Sequence, residues 1–471
     1  MVVGRYREKK VLTQMLENNA SELAVVFGRR RVGKTYLVRN FYQEHIVFEL
    51  VGLYGGNIHL QLQNFHEKII RASSKFKNTD QPKNWLSAFR MLEDYIDGLK
   101  SKKKKVIFID EFPWIATPRS KFLMAFEHFW NSYCTKRNDL VVVVCGSAAS
   151  FMVKKIIQNK GGLHNRVTQK IRLLPFDLSE TEEFLKYKGI NLTRYDIIHI
   201  YMAMGGVPYY LDQLQKGQSV AQNIDRLFFE ENGTLVNEFN EVFKSLFSNS
   251  EMHEAIMRAL AKVRNGVSRK QLLEMLKQQS SGVFSKALEE LTESGFVARS
   301  NSPGKKTKGA LFRMADEYSL FYLKFIGKNK EQGKGTWVKM FPKQSYKIWS
   351  GLVFETICLK HVEQIKVELG IDKIFTSQAA WKNDKAQIDL LIFRDDGIIN
   401  LCEMKFHNAQ YTINKAEYEN LKNKILQFRQ DYKTRKNIFV TMVTTYGVAK
   451  NAYSLELVQN DLTIDCLFRK G

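Results

Sequence analysis

Apolar runs alternate with longer amphipathic stretches over the first 175 residues of the chain. Four of these runs have the composition of buried strands, and they lie at residues 23–27, 46–50, 106–109 and 140–145. Strands that are apolar on both faces are typical of a parallel sheet that helices cover on both sides. The pattern therefore predicts a βαβ domain over residues 1–175.

The pattern changes at Pro175, where helical spacing of apolar residues replaces the strand signals until about Phe247. Ser179 and Glu182 have the spacing of a capping box, which predicts that a helix begins there. We expect residues 176–248 to form a helical lid.

A third pattern covers residues 249–327. It predicts three helices and two short strands, at residues 252–262, 268–277, 283–294, 296–299 and 310–314. Three helices followed by a hairpin are typical of a winged-helix domain. A charged, glycine-rich stretch at 328–335 marks its end.

The last pattern covers residues 336–471 and mixes helices with strands again. It predicts helices near 349–367 and 416–430, and strands at 387–393, 398–405 and 437–444. The sequence as a whole predicts an α/β multidomain protein.

The charge of the chain indicates the kind of partner that it binds. The sequence holds 72 Lys and Arg residues against 49 Asp and Glu residues, a formal net charge of +23. Such an excess favours a polyanion, and we expect DNA. A generally lysine-rich surface and attraction to an anionic membrane are the alternatives.

Other features of the sequence bear on the compartment. No apolar run approaches the ~20 residues of a spanning helix, and the start of the sequence lacks a signal-peptide pattern, so we expect no membrane association. The five cysteines have no metal-binding or disulfide-like spacing. We expect a cytoplasmic protein.

The strongest motif follows the first predicted strand. Gly28 to Thr35 match the P-loop pattern G-x-x-x-x-G-K-[ST] between a strand and a helix, where backbone N–H groups and the helix N-terminus can face phosphates. Lys34 should hold the β and γ phosphates of ATP, and the Thr35 hydroxyl should ligate Mg²⁺. The residues that we expect to contact the nucleotide are Gly28, Arg29, Arg30, Arg31, Val32, Gly33, Lys34, Thr35, Tyr36 and Asp110.

A second motif supplies carboxylates. Asp110 and Glu111 end the apolar run Val106–Ile109, in the manner of a Walker B strand. Asp110 is predicted to bind the metal, while Glu111 is placed to orient and deprotonate the attacking water.

Two further residues have alternative interpretations. Ser147 follows the strand at 140–145 and is either a γ-phosphate sensor or only a turn residue. Arg166 is either an arginine finger, acting in its own subunit or in a neighbouring one, or a surface arginine. A finger from a neighbour would require a homo-oligomer formed through the ATPase domain.

These motifs together resemble those of the archaeal-type AAA+ ATPases. The resemblance rests on Gly4-Arg5, the P-loop, Asp110-Glu111-Phe112, Gly146-Ser147 and Gly205-Gly206-Val207-Pro208, and it covers about residues 1–325. It implies a P-loop ATPase core followed by a lid and a winged helix.

The predicted winged helix offers a DNA contact. Residues 283–288 lie on its third helix, which enters the major groove in DNA-binding domains of this kind. The segment 303–309 carries three lysines at the predicted wing tip, suited to phosphate contacts. Alternatively, the module only packs against the ATPase as a spacer.

The C-terminal domain carries acidic residues on predicted strands. Asp389 and Glu403 lie fourteen residues apart across a turn at 395–397, and Lys405 shares a strand face with Glu403. The region resembles the PD-(D/E)XK restriction-endonuclease-like domain. This resemblance implies that Asp389, Glu403 and the helical Glu355 bind Mg²⁺ and that Lys405 holds or activates water.

Three functional hypotheses follow. The chain is an ATP-driven enzyme that cleaves DNA through its C-terminal domain, a non-cleaving switch whose C-terminal domain binds a partner, or an ATPase that remodels proteins.

Overall fold

The computed structural model of the chain describes residues 2–158, 161–247, 249–263, 266–300, 310–327 and 333–470. The chain divides into two compact units, residues 1–174 with 246–248 and residues 175–245 with 249–471. The predicted wing tip at 303–309 lies outside the described residues, as do residues 328–332 of the predicted boundary stretch. The division into four domains stays a prediction.

The first unit is built on a parallel sheet of five strands. These are β1 Glu22–Phe27, β2 Ile46–Val51, β3 Lys105–Asp110, β4 Leu140–Gly146 and β5 Gln169–Arg172, in the order β2-β3-β4-β1-β5. Every residue of β1, β3 and β4 is buried. The predicted parallel sheet is confirmed.

Helices cover both faces of this sheet. They are α1 Tyr6–Glu17, α2 Lys34–Phe41, α3 Ile58–Ala72, α4 Trp85–Asp97, α5 Phe112–Ile115, α6 Phe122–Ser132 and α7 Ala149–Phe151, which continues into one π-helical segment, Met152–Ile157. One core includes Trp85, Phe89 and Phe122, and the other includes Val26 and Tyr42. Burying each such large apolar side chain contributes about 1.5–3 kcal/mol.

The second unit opens with helices. They are α8 Leu178–Tyr187, α9 Arg194–Met204, α10 Pro208–Asp212, α11 Val220–Phe228 and α12 Glu238–Leu246. The capping box predicted at Ser179 and Glu182 was wrong by two residues. Asp177 is the N-cap, because its side chain accepts from the backbone N–H of Glu180 while the Glu180 carboxylate accepts from the N–H of Asp177.

A small helical module with a three-stranded antiparallel sheet follows. Its elements are α13 Glu251–Leu260, β6 Val267–Ser268, α14 Arg269–Leu276, α15 Gly282–Glu293, β7 Val297–Ser300 and β8 Leu311–Met314, with the strand order β6-β8-β7. The predicted helices and hairpin strands are present. The two-residue strand β6 was not predicted, and assignment of this module as a winged helix stays a prediction.

Four helices lead into a separate domain with a mixed sheet. The helices are α16 Glu317–Phe321, followed by a π-helical segment Tyr322–Ile326, then α17 Thr336–Met340, α18 Gln344–Lys360 and α19 Val362–Glu368. The helix predicted at 349–367 breaks at His361, which leaves helical geometry (φ −108°, ψ 30°). Its ring Nε2 accepts a hydrogen bond from the N–H of Leu178 at 3.0 Å.

The mixed sheet has the strand order β13-β12-β11-β10-β9. Its elements are β9 Thr376–Lys382, β10 Gln387–Arg394, β11 Ile398–Lys405, α20 Lys415–Tyr432, β12 Asn437–Thr444, α21 Ala452–Leu457 and β13 Val458–Thr463. β9, β10 and β11 are antiparallel, whereas β11, β12 and β13 are parallel. Sequence patterns missed β9 and β13, the two edge strands.

Candidate functional site

The P-loop curls between β1 and α2 at the carboxyl end of the parallel sheet. Gly28 has φ +147°, and a Cβ there would lie 2.2 Å from the carbonyl oxygen of Leu173. Gly33 has φ +86° and is the N-cap of α2. Both glycines therefore adopt backbone geometry that other residues rarely adopt, which gives the loop its shape.

Lys34 is buried at the first position of α2. Its Nζ donates to the carbonyl oxygens of Gly28 at 3.0 Å and Arg29 at 2.8 Å. Burial lowers the pKa of Lys34, while the negative charges of Glu111 and Asp110 oppose that shift. The ammonium group is thus held over the loop that is expected to surround phosphates.

Thr35 and Asp110 meet beside this lysine. The Thr35 hydroxyl donates to Oδ2 of Asp110 at 2.6 Å, and Oδ1 of Asp110 accepts from the backbone N–H of Glu111 at 2.9 Å. A hydroxyl and a carboxylate side by side are the hard oxygen donors that Mg²⁺ prefers. The two residues fit the predicted metal role.

Glu111 follows Asp110 in a left-handed conformation (φ 47°) that directs it away from the strand. Its Oε2 accepts a hydrogen bond from the Ser147 hydroxyl at 3.2 Å. Burial and the adjacent Asp110 charge raise the pKa of Glu111, whereas Lys34 and the Ser147 hydrogen bond lower it. A carboxyl group with a raised pKa is suited to accept a proton from water.

The structure therefore brings Lys34, Thr35, Asp110, Glu111 and Ser147 together at one edge of the sheet. The contact between Ser147 and Glu111 favours a site role for this serine over that of a turn residue alone.

The other predicted nucleotide contacts differ in exposure. Arg29 and Val32 are buried. The guanidinium of Arg30 lies 5.7 Å from the ring centroid of Trp114, which is cation–π geometry. Arg31 and Tyr36 are exposed.

Arg5 is a supporting residue that the predicted set of site residues did not include. Its Nη2 donates to the carbonyl oxygen of Val32 at 3.0 Å, and its Nη1 donates to that of Leu174 at 2.7 Å. The planar guanidinium therefore holds the P-loop against the chain that follows β5. The sequence signal was the Gly4-Arg5 pair, which carried part of the family resemblance.

Arg166 is not among the residues brought together at this site, and its role as an arginine finger stays a prediction. It lies on an exposed turn before β5. The neighbouring Thr168 bonds to Leu23 at the start of β1, with its Oγ1 accepting from the Leu23 N–H at 3.0 Å. β5 runs parallel to β1, so the turn before β5 lies near the start of β1, whereas the P-loop follows its end. The length of the strand places them roughly 15–20 Å apart.

The predicted C-terminal metal site is not assembled. Among the described residues, no group of three or more His, Cys, Asp or Glu side chains could hold a metal ion. Glu403 lies 2.7 Å from Lys424 Nζ and 3.1 Å from Lys405 Nζ, and Lys405 also lies 2.9 Å from Glu417. Burial alone would raise the pKa of Glu403, but the Lys424 and Lys405 charges lower it.

Glu355 and Asp389 lie on two other elements, α18 and β10. The buried Cys358 of α18 lies close to the buried Cys402 of β11. Cys402 and Glu403 are successive on β11 and face opposite sides of the sheet, so α18 covers the side that Glu403 does not face. Asp389 accepts a hydrogen bond from Gln387 at 2.6 Å, beside an irregularity in the pairing of β10 with β9.

The helix predicted to read DNA is α15. Val283 is 63% exposed near its start. Lys286 has a side chain that is 68% exposed, at 3.9 Å from Glu290. Both side chains are therefore accessible to a partner, whereas Phe284 and Leu288 are buried.

Comparison with known proteins identifies the first part of the chain. Residues 2–214 match the family described as an ATPase domain predominantly from Archaea. This part of the chain is thus similar to an archaeal-type ATPase domain, a family whose description implies nucleotide binding.

One relative and two solved structures are similar to the chain at low sequence identity. An uncharacterised protein of Methanocaldococcus jannaschii is 25% identical over 410 residues, which cover 84% of this chain and 85% of that protein. The Walker-type ATPase of Pyrococcus abyssi is 19% identical, with 68% of this chain and 96% of that chain covered and a TM-score of 0.49. The ORC2 protein of Aeropyrum pernix is 15% identical, with 68% and 93% covered and a TM-score of 0.40.

None of the helices in the described ranges is long and apolar enough to cross a membrane.

Proposed function

We propose that the chain hydrolyses ATP at the P-loop with the help of Mg²⁺. The observation that carries this proposal is the 2.6 Å contact between Thr35 and Asp110, with Lys34 and Glu111 beside it. Thr35 and Asp110 would hold the metal, which supplies positive charge against the phosphates when bound. Lys34 would exchange its carbonyl partners for phosphate oxygens.

Glu111 accepts the proton of the attacking water in this proposal. Its raised pKa makes it a stronger base than an ordinary carboxylate, and Ser147 fixes its orientation through their hydrogen bond. The hydrogen bonds of Arg5 keep the loop in place around the phosphates.

Steady-state hydrolysis and nucleotide binding test these roles. Lys34→Ala should abolish ATP binding, whereas Glu111→Gln should bind ATP and hydrolyse it at least ~100-fold more slowly, as expected for loss of a general base. Lys10→Ala and Glu17→Gln change exposed residues of α1 and serve as matched controls. Normal turnover by Glu111→Gln would show that this glutamate is not the base.

We infer that DNA is the partner of the second unit. The net charge of +23 and the exposed Lys286 on α15 support this inference. An electrophoretic screen of duplex, single-stranded and branched DNA, with and without ATP, tests it. If none of the three forms of DNA is retarded, DNA is not the partner of the second unit.

The C-terminal domain is proposed to bind a partner rather than to cleave DNA, because both oxygens of Glu403 already face lysines. Cleavage is the second candidate. It is favoured by the antiparallel pairing of β10 and β11, which carry Asp389 and Glu403 on neighbouring strands. Mg²⁺-dependent plasmid nicking distinguishes the two: nicking that Glu403→Gln loses and Glu419→Gln keeps would establish cleavage.

We propose that Arg166 acts on a neighbouring subunit of a homo-oligomer. Its exposed position supports such a contact, and the turn that carries it precedes β5, at the end of the sheet where β1 begins. Turnover per subunit should then rise with protein concentration in the wild type and not in Arg166→Ala. If turnover per subunit does not depend on concentration in the wild type or in Arg166→Ala, Arg166 is only a surface residue.

A further inference from the structure

A basic cavity lies in the second unit. It has a volume of about 540 Å³ and lies where α13, β8, the π-helical segment 322–326 and α18 meet. Four cationic side chains line it, those of Arg258, Lys262, Arg313 and Lys324. No acidic side chain is among the described residues that line it.

The charge of this cavity is poorly balanced by the protein itself. Within the described parts of the chain, the Arg313 side chain has no hydrogen bond or salt bridge, and Lys262 and Lys324 have no salt bridge. Arg258 has a salt bridge with Glu254 at 3.8 Å, the one such pair among the four cations in the described ranges.

Arg313 is the most deeply buried of these cations, and its guanidinium has no salt bridge within the described residues. Burial lowers the pKa of its guanidinium, which the charges of Asp389 and Glu317 only partly oppose. Glu317 lies 2.6 Å from Lys360. A desolvated guanidinium without a paired anion favours an anionic ligand, because such a ligand would restore the charge balance lost on burial.

Apart from Thr356, the other side chains that line the cavity are apolar. Leu323, Leu352 and Trp349 are among them, and Trp349 is held at ring-centroid distances of 5.0 Å from Phe325 and 5.7 Å from Tyr346. The volume falls within the roughly 300–1,000 Å³ of small-molecule sites. Arginine and lysine suit phosphate, while apolar and aromatic walls suit a planar ring.

We propose that this cavity binds the phosphate and base of a pyrimidine or purine nucleotide, supplied either as a free mononucleotide or as the end of a single strand. Such a ligand would contact both the module of residues 249–327 and helix α18, and so connect them. The site is separate from the P-loop and does not depend on the proposed hydrolysis.

Binding is measured by calorimetry on the full chain carrying Lys34→Ala, so that the P-loop does not contribute. The probes are uridine monophosphate, a 5′-phosphorylated pentathymidylate and inorganic phosphate. Saturable binding of uridine monophosphate at one site per chain indicates a free nucleotide, and binding of the pentathymidylate alone indicates a strand end. No binding of either nucleotide probe, or equal affinity for inorganic phosphate, would overturn the proposal.

Variants of the cavity locate the binding. Adding Arg313→Gln should weaken it roughly 10-fold or more, the size expected for loss of a charged hydrogen bond. Lys324→Gln changes an exposed lysine and should weaken binding several-fold even if Arg313→Gln fails to fold. Lys347→Gln, on an exposed position of α18 outside the cavity, is the control, and an equal loss in this control would place the ligand elsewhere.

Discussion

At the scale of single residues, the acid–base behaviour of the site depends on the contact between Ser147 and Glu111. The hydrogen bond from Ser147 lowers the pKa of Glu111, while burial and Asp110 raise it. A general base must be deprotonated, so a raised pKa moves the acid limb of activity to a higher pH than for an ordinary glutamate.

Ser147→Ala should therefore move the acid limb of kcat/KM to still higher pH, because the hydrogen bond that lowers the pKa is lost. Profiles of kcat/KM from about pH 5 to pH 8 measure the shift. Ser101→Ala, at an exposed serine before β3, is the control. Superimposable acid limbs in Ser147→Ala and wild type would contradict the assignment of Glu111 as the base.

The P-loop residues were predictable because the motif is local. A strand, a glycine-bounded loop and a helix in sequence fix where Lys34 and Thr35 lie. Asp110 reaches them because the parallel strands β1 and β3, on either side of β4, end at the same edge of the sheet. The position of Arg166 was less predictable, because the sequence did not reveal that β5 lies beside β1.

At the scale of elements, the turn from β1 into the P-loop depends on the close approach of Gly28 to the chain that follows β5. The N–H of Leu173 donates to the carbonyl oxygen of Phe27 at 2.7 Å, and the carbonyl oxygen of Leu173 fills the place of a Cβ at Gly28. A side chain at Gly28 must therefore displace backbone.

Gly28→Ala should lower the free energy of unfolding by about 2–4 kcal/mol and weaken ATP binding. Gly33→Ala is the matched comparison, because its Cβ would meet nothing within 4 Å and only the positive φ remains unfavourable, at about 1–2 kcal/mol. Urea denaturation of both variants gives the two free energies. Equal losses would mean that the approach of Leu173 is not what restricts Gly28.

The elements that the sequence missed have an identifiable physical cause. β9 and β13 are edge strands with partly exposed, polar positions such as Gln378, Lys382 and Asp461, so they lack the apolar runs that marked β1 and β3. The capping box was misassigned because Asp177-Glu180 and Ser179-Glu182 both have the required spacing. Only the backbone geometry distinguishes them.

Another element-scale prediction concerns the ion pairs that join β11 to α20. Glu403 is buried between Lys405 and Lys424, so Glu403→Gln leaves two ammonium groups without their shared anion. The variant should lose about 3 kcal/mol of unfolding free energy near pH 7. Glu419→Gln, at an exposed position of α20, should lose little.

The difference in unfolding free energy between the wild type and Glu403→Gln should change with pH in a definite direction. Because the pKa of Glu403 is lowered in the folded chain, its stabilisation is complete above the unfolded value of about 4.3 and disappears as the pH falls through the folded value. Denaturation at about pH 7 and about pH 4 should show the wild type approaching Glu403→Gln in acid. A constant difference at both values would exclude titration of this group.

At the scale of the whole molecule, the excess positive charge can be counted from the sequence, but its location in the fold cannot be predicted from it. The sequence fixes the total of +23 but not its distribution, since clustering depends on the fold. The cavity around Arg313 illustrates this point: its four cations come from α13, the residues just after it, β8 and the π-helical segment, and no sequence pattern groups them.

If the charge serves DNA binding, affinity must fall steeply with salt, because each neutralised phosphate releases counterions. For about five phosphate contacts, log K falls with log salt at a slope of about −4.5, a loss of a few hundredfold between ~50 and ~200 mM. Fluorescence anisotropy with a labelled duplex over this range measures the slope.

Lys286→Gln separates a local contact from general attraction. If α15 contacts a phosphate through Lys286, the slope should become less negative by about one unit, whereas Lys10→Gln on α1 should leave it unchanged. An equal change in both variants would mean that the charge acts diffusely. A slope near zero in the wild type would mean that the positive charge does not serve DNA binding at all.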